Sequence, residues 1–224
     1  KLRRELKDSI QQLGAAAKKV IFVLGRHRVA DFKNHDVIVV NPAVPRESPY
    51  LRVARRAGKM LVNDARIFFD LVPNPIVVVT GTRGKTTTAN WIAHFVKAKH
   101  RGVVAAGNTP EMPLLSLIDR LRSRETPVVA ELSSWQLELL SESRRAPDVA
   151  VITNIYRDHL NRYRSMRDYA RAKANIFLEQ HATQRLVMNY DNPWTMFFVR
   201  LKPKSSTYFF SLRSLPQRLS GIYV

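Results

Sequence analysis

The sequence predicts an α/β fold built on a mostly parallel sheet, and three observations carry that prediction. Short apolar runs suited to strands alternate with longer segments of helical spacing along most of the 224 residues. The run Ile76-Val77-Val78-Val79 feeds into the turn Thr80-Gly-Thr-Arg-Gly-Lys-Thr86, which opens a stretch with helical spacing. The prolines of Pro73-Asn74-Pro75 mark a boundary between a shorter leading part, residues 1–74, and a longer part, residues 75–224.

Taken in order, residues 1–19 read as a polar helix with Leu2, Leu6, Ile10 and Leu13 on one stripe. Val20 to Leu24 reads as a short strand and Val37 to Val40 as a second, which runs into Asn41-Pro42-Ala43-Val44-Pro45, where two prolines force a loop. Ser48 and Pro49 suit the cap and first turn of a helix ending near Gly58. Met60 to Val62, a helix from Asn63 or Asp64, and Ile76 to Thr80 continue the alternation. Beyond the glycine turn the pattern predicts a helix to about Lys99, a strand over Val103 to Ala106 and a helix around Leu114 to Leu121. Strands follow over Val128 to Leu132 and Val149 to Thr153, then a helix across Tyr169 to Phe177 and a strand over Leu186 to Asn189.

Composition narrows the class of function. The absence of Cys excludes disulfides, thiolate metal sites and Cys nucleophiles and fits a reducing compartment. No apolar run approaches the roughly 20 residues of a membrane-spanning helix, and the basic start runs into polar residues and not a signal-peptide core, so a cytoplasmic location is expected. The net charge of +19 favours anionic ligands and leaves a nucleic-acid partner open. The basic residues are nonetheless spread along the chain without interleaved aromatics, as on a solvated surface.

A glycine-rich turn opening a helix exposes unpaired backbone N–H groups at the positive end of the helix dipole, which makes an anion cradle. Lys85 adds a point charge for outer phosphates and Thr86 an oxygen for Mg²⁺. The general phosphate-loop pattern is not met in full, because Val79 stands at its first glycine. Glu131 closes the apolar run Val128-Val129-Ala130, at the strand end that faces ligands in parallel sheets. A carboxylate there either holds Mg²⁺ or caps the following turn toward Ser133.

The variant loop Thr-Gly-Thr-x-Gly-Lys-Thr resembles the nucleotide loop of the Mur ligase family, with Arg83 where the family usually carries Asn. Gly107-Asn-Thr-Pro110, Glu131-Leu-Ser-Ser-Trp-Gln-Leu-Glu138, Asn154 to Tyr163 and Tyr169 to Phe177 follow in the family's order and spacing. They are most similar to the branch that adds D-glutamate to UDP-N-acetylmuramoyl-L-alanine. The resemblance implies a truncated Rossmann-like N-terminal domain over 1–74 that holds UDP, followed by part of a parallel-sheet ATPase domain over 75–224 with ATP and Mg²⁺ as cofactors. The family's C-terminal, amino-acid-delivering domain is expected to be absent, leaving an incomplete fragment. The substrate carboxylate is expected to become an acyl phosphate that the amine of D-glutamate opens.

The same resemblance implies the site residues. Gly81, Thr82, Arg83, Gly84, Lys85, Thr86 and Thr87 would hold the nucleotide, and Thr86, Glu131, His159 and Lys173 the metals, with Lys85, His159 and Lys173 counted as catalytic. Asn108, Ser133, Ser134 and Gln136 would bind the UDP-sugar substrate. Lys173 would act as a carbamate, an oxygen ligand in place of an ammonium. By residue type alone His159 reads more often as a satisfied structural histidine than as a ligand, and Lys173 as an exposed helix lysine. A poly-γ-glutamate or folyl-polyglutamate synthase, or a non-catalytic nucleotide- or nucleic-acid-binding module, stays open as an alternative.

Overall fold

The structure, a computed structural model, describes residues 2–41, 43–100, 102–106, 113–121, 123–143 and 145–224, with side chains from residue 6 onward. Asn108 and the stretch 107–112 therefore lie outside the described residues. The leading part holds α1 (Leu2–Gln12), α2 (Val29–Asn34), β1 (Val37–Val39), α3 (Pro49–Arg56) and β2 (Met60–Val62). Proline sits in the first turn of α3, where its missing N–H costs nothing. β1 and β2 pair in parallel from Val37↔Met60 to Val39↔Val62, with α3 as the crossover. Leu51, Ala54 and Leu61 form a small core that is completed by Leu139 from the longer part.

Val20 to Leu24 does not form the expected strand. Ile21 is 83% exposed, and among the described residues the sheet of the leading part holds only β1 and β2. A strand is defined by its ladder, and an apolar run without a partner edge stays irregular. The leading helix also ends sooner than expected, at Gln12, and Gly14 opens a 3₁₀ turn over Gly14–Lys19.

The longer part is a seven-stranded, wholly parallel sheet. The last helix before the proline break, α4 (Asp64–Leu71), packs against it, and among the described residues the longer part contains β3 (Ile76–Thr80), α5 (Lys85–Lys97), β4 (Val104–Ala106), β5 (Val128–Glu131), α6 (Ser134–Leu137), β6 (Val149–Ile152), α7 (Met166–Ala174), β7 (Arg185–Asn189), α8 (Thr195–Arg200), β8 (Ser206–Ser211) and β9 (Gly221–Tyr223). The strand order is β4-β5-β3-β6-β7-β8-β9. The central strands are continuous apolar runs and not alternating ones, as a sheet covered on both faces requires. One face packs Ile76, Val78, Val128, Ala130, Ala150, Ile152, Leu186 and Met188 in a core shared with Phe68 and Phe69 of α4, Tyr169 of α7 and Phe198 of α8. The other face gathers Val79, Val129 and Val151 around Ala89, Ile92 and Ala93 of α5. The segment Leu114–Arg120 is a 3₁₀ and not an α-helix. Its three-residue period stacks Leu114 over Leu117, and both are buried.

β3 sits between β5 and β6, although the chain leaves β3 for β4 and returns through β5. That reversal opens a crevice at the carboxyl ends of β3, β5 and β6, the place where open parallel sheets take ligands.

Candidate functional site

The turn after β3 occupies that crevice, and its glycines have separate reasons to be there. At Gly81, with φ +151°, an added Cβ would stand 1.9 Å from Thr153 Oγ1, so a side chain is excluded by contact with the end of β6. At Gly84, with φ +76°, an added Cβ would meet nothing within 4 Å, so the requirement is the left-handed backbone itself. Gly84 is the N-cap of α5, whose first-turn amides have no intrahelical acceptor, and the space beside Gly84 is open.

The residues after β6 hold the loop in shape. Thr82 N–H donates to Asn154 O at 2.9 Å, and Arg83 N–H donates to Asn154 Oδ1 at 2.9 Å. Thr153 Oγ1 and Asn154 Nδ2 both donate to Arg83 O, at 2.8 and 3.0 Å. Thr82 Oγ1 accepts from Tyr156 N–H at 2.9 Å and meets Tyr169 Oη at 3.2 Å. Arg83 thus contributes its backbone to this latch, while the residue itself is exposed.

Within the crevice Thr86 Oγ1 donates to Glu131 Oε2 at 2.6 Å, and Lys85 Nζ lies 3.8 Å from Glu131 Oε1 and 3.2 Å from Thr82 O. The parallel register that sets Val79 opposite Glu131 brings these groups together from strands 52 positions apart, as the pair Val79↔Glu131 records. The Glu131 side chain is 8% exposed, so its charge is felt in a low-dielectric setting by Lys85 and the helix end. Thr87 lies one residue further along α5, on its exposed side.

Lys173 is not the exposed helix lysine of the residue-type reading. α7 is capped by Ser165, whose Oγ accepts from Asp168 N–H, and it turns Lys173 inward until 2% of the residue remains exposed. Its Nζ donates to Thr80 Oγ1 at 3.2 Å and lies 5.0 Å from the centre of the Tyr169 ring. Burial, reinforced by the Lys85 charge and opposed by Asp158 and Glu131, lowers its pKa from 10.5 to about 7. A substantial fraction is then a neutral amine at neutral pH. His159 takes the left-handed backbone, φ 52°, and stays partly exposed, packed edge-on against Trp135 and Tyr169 with ring centres 5.4 and 5.7 Å away. Tyr169 thus links His159, Lys173 and the phosphate loop.

Two of the candidates on the β5–α6 turn, Ser133 and Gln136, are engaged in structure. Ser133 and Gln136 form a capping box, and Gln136 Nε2 donates to Asp64 Oδ2 at 2.7 Å. Asn63 Nδ2 donates to Gln136 O at 2.9 Å, and Ser134 is 2% exposed. This turn joins the leading part to the sheet. Sequence reasoning missed the companion joint: Arg162 donates to both oxygens of Glu138, at 3.1 and 3.0 Å, and to Val44 O at 3.2 Å. Tyr163 Oη donates to Glu138 Oε1 at 2.8 Å, and burial pushes the Tyr163 phenol up. The Arg162 guanidinium also lies 5.2 Å from the Trp135 ring centre. A basic residue and an acidic residue 24 positions apart carry no local sequence pattern that would pair them.

Among the described residues no three His, Asp or Glu side chains converge as a metal cluster, and no helix is long and apolar enough to cross a membrane. The pair Thr86–Glu131 suits Mg²⁺ nevertheless, because that ion takes one or two protein oxygens and completes its shell with phosphates and water. The open cradle at Gly84 likewise fits a phosphate.

The Mur ligase middle domain family matches residues 79–220. The UDP-N-acetylmuramoylalanine–D-glutamate ligase of Geobacter metallireducens is 43% identical over 178 residues, 80% of this chain and 38% of that protein. The enzyme of the same name from Borreliella burgdorferi strain ZS7 is 38% identical over 211 residues, 94% of this chain and 45% of that protein. The chain thus spans less than half the length of these curated relatives. Among solved structures, a UDP-N-acetylmuramoyl-L-alanyl-D-glutamate–2,6-diaminopimelate ligase shares the fold with a TM-score of 0.56 at 20% identity, over 82% of this chain and 46% of that one. The MurF ligase of Thermotoga maritima in complex with ADP does so with a TM-score of 0.51 at 21% identity, over 84% and 50%.

Proposed function

Because this chain belongs to the Mur ligase family, we propose that it is the nucleotide-handling portion of an ATP-dependent ligase that adds D-glutamate to UDP-N-acetylmuramoyl-L-alanine during peptidoglycan precursor synthesis. The observation that carries this reading is the Lys85–Thr86–Glu131 constellation at the sheet's switch point, beneath an open amide cradle. The names of the relatives support the D-glutamate-adding branch over a polyglutamate synthase or a non-catalytic module. Residues 1–74 take the part of the UDP-facing domain and residues 75–224 that of the ATP-facing domain in this reading.

Bound ATP supplies the phosphoryl group that activates a carboxylate for amide formation, and Mg²⁺ offsets the phosphate charge. The chain's own contribution is placement and electrostatics. The loop Gly81 to Thr87 would frame the phosphates, with the amides of Thr82 and Arg83 held by Asn154 and those at the start of α5 left to donate; Lys85 would face the outer phosphates, and Thr86 with Glu131 would hold the metal. Glu131 positions Lys85 and Thr86 before the ligand arrives, so little reorganisation remains at binding. Lys173, shielded from water and partly neutral, would add CO₂ through its amine with release of one proton, and the carbamate oxygens together with His159 would hold a second metal. Ser133 and Gln136 then fix the joint between the two parts as well as facing the substrate, and Asn108 and Ser134 are assigned to substrate binding in this reading.

Calorimetric titration of the chain with ATP and Mg²⁺ tests the reading. Lys85→Ala is expected to weaken binding by about tenfold or more, the scale of one lost charge-assisted contact, with the circular dichroism spectrum unchanged. Equal affinity in parent and variant would refute it.

A further inference from the structure

Both oxygens of Glu131 are engaged, and by side chains that a bound nucleotide would claim. Oε2 accepts from Thr86 Oγ1 at 2.6 Å, and Oε1 faces the Lys85 ammonium at 3.8 Å. Lys85 Nζ also donates to Thr82 O at 3.2 Å, so it is held between the carboxylate and the loop. The Glu131 and Lys85 side chains are 8% and 19% exposed, which screens the pair little from one another. The buried Lys173, whose Nζ donates to Thr80 Oγ1, lies near enough to feel the charges of Lys85 and Glu131. Asp158, the other carboxylate felt there, is half-exposed and lies 3.6 Å from His159 Nε2.

Resting on the nucleotide reading above, we infer that Lys85 stands in for the metal at Glu131 and so makes metal loading depend on the nucleotide. A bare divalent cation approaching Glu131 and Thr86 meets an ammonium already set against the carboxylate, and the two positive charges repel across a poorly hydrated crevice. Lys85 then has no better anion to turn to. Phosphates at the start of α5 supply one: Lys85 turns to them and releases Glu131 Oε1, which with Thr86 becomes available to a cation. Rotation along the flexible lysine stem is enough for this exchange, and the loop backbone held by Asn154 keeps its shape. Glu131 trades one cation for another and is never left as an unpaired buried charge. A purely structural Lys85–Glu131 pair would hold the crevice together without governing the metal. The two roles differ in what a neutral residue at position 85 does to a bare cation.

The test titrates Mn²⁺, a probe for the Mg²⁺ site, into the chain without nucleotide and follows free Mn²⁺ by electron paramagnetic resonance. Lys85→Met, which keeps the volume and removes the charge, is expected to tighten Mn²⁺ by about tenfold or more. Lys85→Arg keeps a cation against Glu131 and should stay near the parent. Glu131→Gln added to Lys85→Met should cancel the gain, which locates the ion. In a parallel calorimetric titration of ATP with Mg²⁺, Lys85→Met is expected to lose affinity. If it loses ATP affinity yet gains none for Mn²⁺, the coupling is refuted and the phosphate site stands. If it keeps full ATP affinity, the nucleotide reading fails and the coupling with it. A gain in Mn²⁺ affinity that survives Glu131→Gln, or that Lys85→Arg reproduces, overturns the inference.

Discussion

Replacing Lys173 with Met should make the ligand-free chain more stable at neutral pH, although it removes a hydrogen bond. Met fills nearly the same volume without the amine, so the packing against Tyr169 is kept. The parent's pKa of about 7 against an ordinary 10.5 means that folding at pH 7 must strip or bury a proton the unfolded chain keeps. At 1.36 kcal/mol per unit, that costs roughly 4 kcal/mol at pH 7. The lost Nζ–Thr80 bond returns about 1 kcal/mol, and Thr80 Oγ1 still has Leu132 O as acceptor. The expected net gain is roughly 3 kcal/mol, or about 5 to 10 °C in Tm for a chain of this size. The sign with pH follows from proton counts. Between about pH 7 and 10.5 the unfolded parent binds more protons at this site than the folded parent, so this group makes parent stability rise with pH. The gap between variant and parent should therefore be constant below pH 7, narrow above it and close near pH 10.5. Urea denaturation in CO₂-free buffer at several pH values measures it. A Met variant less stable than the parent at pH 7, or a gap that does not shrink toward pH 10, refutes the reasoning.

Gly81→Ala is expected to destabilise the chain by about 2 kcal/mol or more through the clash with Thr153 Oγ1, and Thr153→Ala in the same chain should recover part of that loss in urea melts. Glu138→Gln should cost about 3 kcal/mol, because Arg162 and Glu138 are 12% and 9% exposed in their side chains and the guanidinium is left without its counter-charge. A double-mutant cycle with Arg162→Met should give a sum of single losses larger than the double loss, and simple additivity would count against a coupled pair. Bicarbonate is expected to give the parent a ¹³C carbamate resonance that disappears in Lys173→Met, and its absence from the nucleotide- and Mg²⁺-bound parent would refute the carbamate role. Asn154→Ala should loosen the phosphate loop, seen as faster amide exchange at Thr82 and Arg83 with the sheet amides unchanged.

Local pattern carried much of the fold. Apolar runs bounded by turn residues marked β1 to β7 within a residue or two, and the Pro49 and Asn63 signals fell at helix starts. It erred at Val20 to Leu24, where apolar character without a neighbouring edge gives no ladder, and it did not mark β8 and β9 at all. Ser206–Ser211 sets a block of three aromatics between hydroxyl residues, without the alternation of a half-buried strand, and reads as a strand only once β7 lies beside it. Pro73-Asn74-Pro75 is a visible break, yet Phe68 and Phe69 of α4, before it, lie in the core of the large sheet after it.

The sequence by itself determined that a glycine–lysine–threonine turn follows a buried strand and opens a helix, because backbone conformation and capping act within a few residues. Tertiary structure alone decided that Glu131 meets Thr86, that Asn154 latches the loop, and that Lys173 is buried with its proton loosened. Those relations depend on strand order and register, which bring residues tens of positions apart within hydrogen-bond reach. They depend also on burial, because the dielectric around an amine is set by every segment packed over it and not by its neighbours in the chain.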